Sequence, residues 1–489
     1  MKKPIVRIAP SPTGKMHIGT ARTALFNYLF ARSQKGKFLL RMEDTDKKRS
    51  TLKHEKDIIK GLKWLGLKWD GKIERQMQRL KIYQKYAQKL LKEKKAYLCF
   101  CSQIELDKER QEQLKRKQPP RYSGKCRDLS KKEIEKFKKQ GSKPTIRQRV
   151  PDDRGVIKFK DLIRDEIKEN AGLIADFVLM KSDGIPVFFF AGVIDDHLQN
   201  ITHVIRGEDH ISNTFSQILI YEALGWDKRM PSFAHLPMIL NSDRSKMSKR
   251  KGDATAVKDF KNLGYLPEAI LNFMALLGWH PRGVEDQKGQ EDKDEIYSLE
   301  KLTSLFKLGK VGKSAAIFDK NKLDFINGYY LRKLKNSTLK KLLSPNHLAE
   351  GWQKNKVLEK AIILVKDRMK RLSDFTELTD YFFEEPIYDE ELLIFKKSDK
   401  IFTQRGLEAA KEKLRKTKKS DWEEQEKLQK ILERVVKEEK LNNGDVFWPV
   451  RAALSGREAS PSPVELLWAL GKEESLKRLS GALQALNDK

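Results

Sequence analysis

Cysteine is scarce in this chain: there are three among 489 residues, at Cys99, Cys101 and Cys126. An odd and small number cannot build a disulfide framework, so stability has to come from buried apolar surface, and a reducing compartment is expected. Long apolar runs are missing too. None reaches the length of about 18 residues needed to cross a bilayer, and the strand-like Pro4–Ile8 follows Met1 too closely to leave space for a secretory signal. The expectation is a cytoplasmic protein with no membrane partner. Negative charge is short: 69 acidic residues face 100 basic ones, a formal charge of +31. Such an excess suits a polyanion, nucleic acid first. The apolar share of 39% can fill several cores, and the length is expected to divide into roughly three domains of about 100 to 200 residues.

The richest stretch lies near the start. Residues 4–8 are β-branched and run into Pro10 and Pro12, which cannot donate to a sheet ladder, so the backbone leaves the sheet there. From Ile18 to about Arg32, Ala21, Leu25, Tyr28 and Leu29 recur at helical spacing, and Gly36 closes the segment. Strand, loop and helix in this order put His17, Gly19 and Thr20 at a helix N-terminus. Free N–H groups and the helix dipole favour an anion such as phosphate there, and glycine permits close approach.

Lys37–Met42 reads as a second strand ending in the acidic cluster Glu43, Asp44 and Asp46. Ligands of open α/β sheets bind at that edge, so Glu43 is placed either to meet an ammonium group or to cap the helix from about His54 to Leu65. Ile185–Ile194 and Ile201–Arg206 look like buried parallel strands separated by Asp195-Asp196-His197, and Phe233–Leu240 like another. Arg7 and Arg206 each stand at a strand end, where two guanidiniums can clasp one carboxylate. A polar loop, Lys246-Met247-Ser248-Lys249-Arg250, follows the last apolar run. Between about Ser102 and Phe190 the alternation breaks into a lysine-rich helix and short β-type runs. Beyond Tyr329 the pattern is helical, with basic clusters at Lys366–Arg371 and Lys411–Lys419. The cysteines fall close enough for one metal clip, and zinc suits them, with Tyr122 or Asp128 left to complete a tetrahedron.

An A-P-S-P-T-G-x-x-H-I-G-T loop early and K-M-S-K-R about one Rossmann fold later resemble the two signatures of class I aminoacyl-tRNA synthetases. Leu40–Asp46, Thr202–Asp209 and Trp448–Arg457 extend the likeness to glutamate–tRNA ligases of the bacterial type over nearly the whole chain. The resemblance implies an α/β fold: a Rossmann-type catalytic domain (1–101 and 191–255) split by an α+β acceptor-binding insertion (102–190), then a helical stem-contact region (256–329) and an all-α anticodon-binding domain (330–489). It implies ATP-dependent joining of L-glutamate to tRNA-Glu, with tRNA-Gln as a further candidate substrate, Mg2+ with the nucleotide, zinc at the cysteines, and a monomer. By the same resemblance His17, Gly19, Thr20, Lys246 and Lys249 are catalytic, and Met247, Ser248 and Arg250 join His17, Gly19 and the two lysines around ATP. Arg7, Ser11, Glu43, Phe188 and Arg206 would hold glutamate. Relatives usually carry tyrosine at the position of Phe188, so one polar handle on the substrate carboxylate is absent here.

Overall fold

The β-branched segment Ile5–Ile8 is strand β1, and the loop after it leads into helix α1 (Ile18–Ser33) and strand β2 (Lys37–Met42). β1 and β2 pair in parallel, Ile5 opposite Lys37 through Ile8 opposite Leu40. The turn between α1 and β2 is tight: a Cβ on Gly36 would sit 2.2 Å from Pro4 O, so no side chain fits. The computed structural model that defines these elements describes residues 3–245, 247, 255–281, 295–343 and 347–487. They fall into two compact units, one within 1–261 and 267–323, the other within 262–266 and 324–489.

In the first unit α2 (Leu52–Trp64) begins at Thr51, whose side chain accepts from His54 N, so the cap is supplied without Glu43. β3 (Glu74–Arg75) extends the sheet beyond β2, and α3 (Leu80–Lys92) leads to β4 (Ala96–Cys99). Helices α4 (Gln103–Lys115) and α5 (Lys131–Lys139) have no buried side chain. β5 (Thr145–Gln148) then pairs antiparallel with β4 and with β8 (Val178–Met180), forming a small separate sheet. The expected border at 101/102 therefore leaves β4 on one side of its own sheet.

The hairpin of β6 (Val156–Asp161) and β7 (Asp165–Asn170) goes elsewhere. It joins β9 (His203–Gly207) and β10 (Ser232–Leu236) in a sheet ordered β7-β6-β10-β9. The hairpin thus shares a sheet with two strands that follow it by more than 30 residues. β7, Asp-Glu-Ile-Lys-Glu-Asn, is too polar to have announced itself, and pairs with β6 along its full length. β9 lies beside β1, where Thr202 N donates to Ile5 O at 2.9 Å. β1 therefore has β2 on one side and β9 on the other, a topological switch point.

Two expectations about strands are corrected. Ile185–Ile194 is not a strand: Phe188–Leu198 is helix α6, with Phe190, Ala191, Val193 and Ile194 buried. A continuous apolar run has no period to separate a buried strand from a buried helix. Phe233–Leu240 is two strands, since Pro237 cannot donate to a ladder and parts β10 from β11 (Ile239–Leu240), which pairs with β12 (Ala316–Ile317). Helices α7 (Ile211–Ala223), α8 (Val257–Asn262), α9 (Pro267–Leu276) and α10 (Leu299–Leu305) follow.

The second unit is helical, as expected. Its last four helices, Lys400–Lys416, Gln425–Glu438, Asn443–Ser455 and Pro463–Asn487, pack on one another around Leu407, Leu414, Leu428, Leu432, Val446, Val450 and Leu479. Among the described residues no helix is long and apolar enough to cross a membrane.

Candidate active site

The loop from β1 delivers His17 to the N-cap of α1. Its Nδ1 accepts from Gly19 N at 3.0 Å, so the neutral ring carries its proton on Nε2 and is a donor there. The same loop is stitched to the segment that follows the Lys246–Arg250 loop: Ile18 N donates to Thr255 O at 2.8 Å and Val257 N to Met16 O at 2.9 Å. The first loop is thereby joined to the chain from Thr255 to Val257, and Met247 lines the same cleft as His17. Lys246, Ser248, Lys249 and Arg250 themselves lie outside the described residues, and Met247 is buried.

Around these loops, at the carboxyl ends of β1, β2, β9 and β10, opens a cleft of about 1810 Å³. Arg7, Ser11, His17, Gly19, Thr20, Glu43, Phe188, Arg206 and Met247 all line it, so every expected substrate residue that is described converges there.

The two arginines are held differently. Arg7 is locked to Asp196 by a fork, Nε to Oδ1 at 2.9 Å and a terminal nitrogen to Oδ2 at 3.3 Å. Fully buried Arg41 also reaches Asp196, at 2.8 Å, and Glu43, at 3.3 Å. Burial alone would raise the Asp196 carboxyl, but Arg41 and Arg7 bring it below the usual range. Its neighbour Asp195 is occupied by Arg79 at 2.9 Å, Tyr83 at 2.8 Å and Gln76 at 3.1 Å. Among the described residues Arg206 has only uncharged partners within hydrogen-bond distance: Thr214 Oγ1 and Gln217 Oε1 at 2.7 Å, and His235 Nε2 and His210 O at 3.3 Å. Burial, then the neighbouring Arg7, lower its pKa to about 10. Asp196, Glu43 and Asp209 act on it only from beyond hydrogen-bond distance, and a buried cation with no carboxylate in direct contact among the described residues is a place for an anionic ligand group.

Glu43 marks the other pole. Burial raises its carboxyl, partly offset by Arg41 and Arg7, and an incoming ammonium would favour its charged form. Phe188 opens α6 and packs edge-on against His210, ring centres 5.8 Å apart. Burial and Arg206 hold His210 down at about 4, so the ring beside the phenyl is neutral at pH 7.

Sequence reasoning missed Arg41, His210, His235 and Asp161 and assigned no role to Asp196. Asp195-Asp196 stood in a quoted motif, which was the available signal. Asp161 and His235 belong to strands far apart in the chain and carried none.

The three sulfurs lie within 4.8 Å of one another, Cys101 and Cys126 at 3.5 Å. Tyr122 Oη sits among them, 3.4 Å from Cys99 Sγ and 3.6 Å from Cys101 Sγ. Zinc–sulfur bonds of about 2.3 Å in a tetrahedron imply sulfur separations near 3.8 Å, so the set is of the right size. Asp128 points away, 81% exposed and paired with Arg149 at 3.0 Å. Cys101 also lines the cleft.

A histidine-capped helix N-terminus at the switch point of a parallel sheet, met by backbone from Thr255 and Val257, fits the catalytic unit of a class I tRNA synthetase. Residues 4–325 match the family described as tRNA synthetases class I (E and Q), catalytic domain, and residues 337–483 the anticodon binding domain. The chain is 43% identical over 484 residues to glutamate–tRNA ligase 2 of Thermoanaerobacter pseudethanolicus, covering 98% of this chain and 97% of the relative. It is 40% identical over 492 residues to the glutamate–tRNA ligase of Bacillus subtilis, with 97% and 98% covered. A crystal structure of a glutamate tRNA ligase from Elizabethkingia meningosepticum in complex with its amino acid superposes with a TM-score of 0.84 at 32% identity, covering 99% of this chain and 100% of that one. The chain belongs to the glutamate–tRNA ligase family.

Proposed function

We propose that the cleft activates L-glutamate with ATP and passes it to tRNA-Glu. The observation that carries this reading is a buried Arg206, with no carboxylate in direct contact among the described residues, in one cleft with the carboxyl of Glu43. Such a site fits an amino acid with a carboxylate at the end of its side chain: Arg206 and Arg7 face the side-chain carboxylate, Glu43 and Ser11 the ammonium group. ATP enters with Mg2+ as its counter-ion. Its phosphates lie at the N-terminus of α1, where Gly19 permits close approach and His17 Nε2 donates. A carboxylate oxygen of glutamate attacks the α-phosphorus, the bond to the bridging oxygen breaks and pyrophosphate leaves. The charge growing on it is met by Lys246 and Lys249, with Met247, Ser248 and Arg250 completing the nucleotide site. The terminal ribose hydroxyl of the tRNA then attacks the acyl carbon and AMP departs.

Within this reading the acceptor end is met by the segment 102–190 and the anticodon by the helices from 330 onward, with 256–329 joining them and the Rossmann halves at 1–101 and 191–255. The protein acts as a cytoplasmic monomer. The test is charging of purified tRNA-Glu and tRNA-Gln with glutamate and with glutamine. Glutamate is expected on tRNA-Glu, and glutamine on neither, because an uncharged amide leaves Arg206 unpaired. Transfer of glutamine at a comparable rate would remove the assignment of Arg206, whereas glutamate on tRNA-Gln would extend the substrate range.

Zinc is the fitting occupant of Cys99, Cys101 and Cys126, and Tyr122 rather than Asp128 is the fourth ligand. Bound there, zinc would fix the end of β4 beside the cleft. Purified protein is expected to contain near-stoichiometric zinc. Tyr122→Phe should hold it about tenfold more weakly against a chelator, taking the loss known for weaker supporting contacts as a lower bound, and Asp128→Asn should hold it normally. Equal retention in both variants would exclude the tyrosine.

A further inference from the structure

Arg206 is a long side chain whose direct partners among the described residues are all uncharged, and what fixes it lies one layer deeper. His235, on β10, and Asp161, on β6, are side by side and fully buried. Asp161 Oδ1 accepts from the backbone of Ile163 and Arg164, each at 2.9 Å. Its other oxygen stands 2.7 Å from His235 Nδ1 and 3.1 Å from His235 N. These bonds keep Asp161 ionised: burial would raise its carboxyl, but the histidine and the backbone N–H groups bring it below the usual range.

An ionised carboxylate only accepts, so the proton of the imidazole is on Nδ1 and the lone pair on Nε2. That lone pair faces Arg206 Nε at 3.3 Å and Thr214 Oγ1 at 3.0 Å. We propose that Asp161 and His235 form a positioning pair for Arg206: the carboxylate sets the imidazole tautomer, and the imidazole accepts from the guanidinium and turns its remaining donors toward the substrate carboxylate. The opposite tautomer would set N–H against N–H and push Arg206 out of register. The arrangement also explains how a buried guanidinium keeps its direction with no carboxylate in direct contact among the described residues. A carboxylate in direct contact would hold Arg206 as Asp196 holds Arg7, but would also cancel the charge that the ligand needs. A neutral ring aligned from behind gives direction and leaves the charge available.

The proposal rests on the reading of Arg206 as the carboxylate anchor, and the experiment separates the two. Aminoacylation is measured at saturating ATP and tRNA-Glu, with enzyme concentration set by active-site titration, for Asp161→Asn, His235→Leu, His235→Gln and Arg206→Gln. Asp161→Asn and His235→Leu are expected to raise KM for glutamate about tenfold, the loss of one hydrogen bond to a charged group, while kcat changes less than about threefold. His235→Gln, which keeps a side-chain donor and acceptor, should recover part of that loss. A purely structural pair would instead lower the active fraction and the melting temperature and leave KM unchanged. If Arg206→Gln raises KM and the pair variants do not, the positioning role is overturned and the site stands. If Arg206→Gln leaves KM unchanged as well, the reading of Arg206 itself falls. Should Asp161→Asn fail to fold, because its amide must face backbone N–H groups, His235→Gln against His235→Leu decides by the same KM criterion.

Discussion

His17→Ala is expected to slow glutamate activation about a hundredfold, the usual effect of losing one preorganised donor worth about 3 kcal/mol. His17 does two things in the structure: Nδ1 accepts from Gly19 N at the head of α1, and the ring lines the cleft. Removing it costs about 1 kcal/mol of capping as well. His17→Asn separates the roles, since asparagine is a good cap but is too short to reach where Nε2 reaches. Its melting temperature should return to the wild-type value while activation stays slow. Activation is followed both with and without tRNA-Glu. Recovery of rate in His17→Asn would show that the histidine matters only as a cap.

The second large effect is on stability. Asp196→Asn takes away the charge shared by two buried guanidiniums, Arg7 at 2.9 Å and Arg41 at 2.8 Å, and should destabilise the first unit by about 3 kcal/mol. The pH dependence has a definite sign. The Asp196 carboxyl lies below its ordinary value in the folded protein, so its contribution is present in full above the unfolded value of about 3.9 and is lost as pH falls through the folded one. The gap between wild type and Asp196→Asn, read as the urea midpoint, should be constant at neutral pH and close only below about pH 4. A gap that widens on acidification would contradict the assignment of the charge.

These residues differ in how plainly the sequence displayed them. β1 and α1 were legible because Pro10 and Pro12 end the one and a 3.6-residue period defines the other. Arg7 and Glu43 were legible as side chains at strand ends, where open sheets bind ligands. Glu43 as a helix cap was a fair alternative, decided only when Thr51 proved to be the cap. α6 was misread because Phe188–Ile194 is apolar without a break. That error hid Asp195 and Asp196, whose carboxylates meet Arg79 and Arg7 respectively and share Arg41. Tyr122 and Asp128 were equal candidates by spacing, and only geometry placed a phenol among the sulfurs. Asp161 and His235 meet through a sheet pairing between distant strands, and no local pattern encodes such a meeting.

The place of β1 between β2 and β9 bears on how the protein is made. β2 follows β1 within one helix, but β9 begins at His203. At roughly 5–20 residues per second, some 10 to 40 s of synthesis separate Ile5 from its second neighbour. During that interval one side of an apolar strand has no partner from its own chain, and its unpaired N–H and C=O groups are a template for any other strand. Nascent chains stalled ahead of His203 should therefore be the species most prone to aggregate and to engage chaperones, and those that have released β9 and β10 from the ribosome should be far less so.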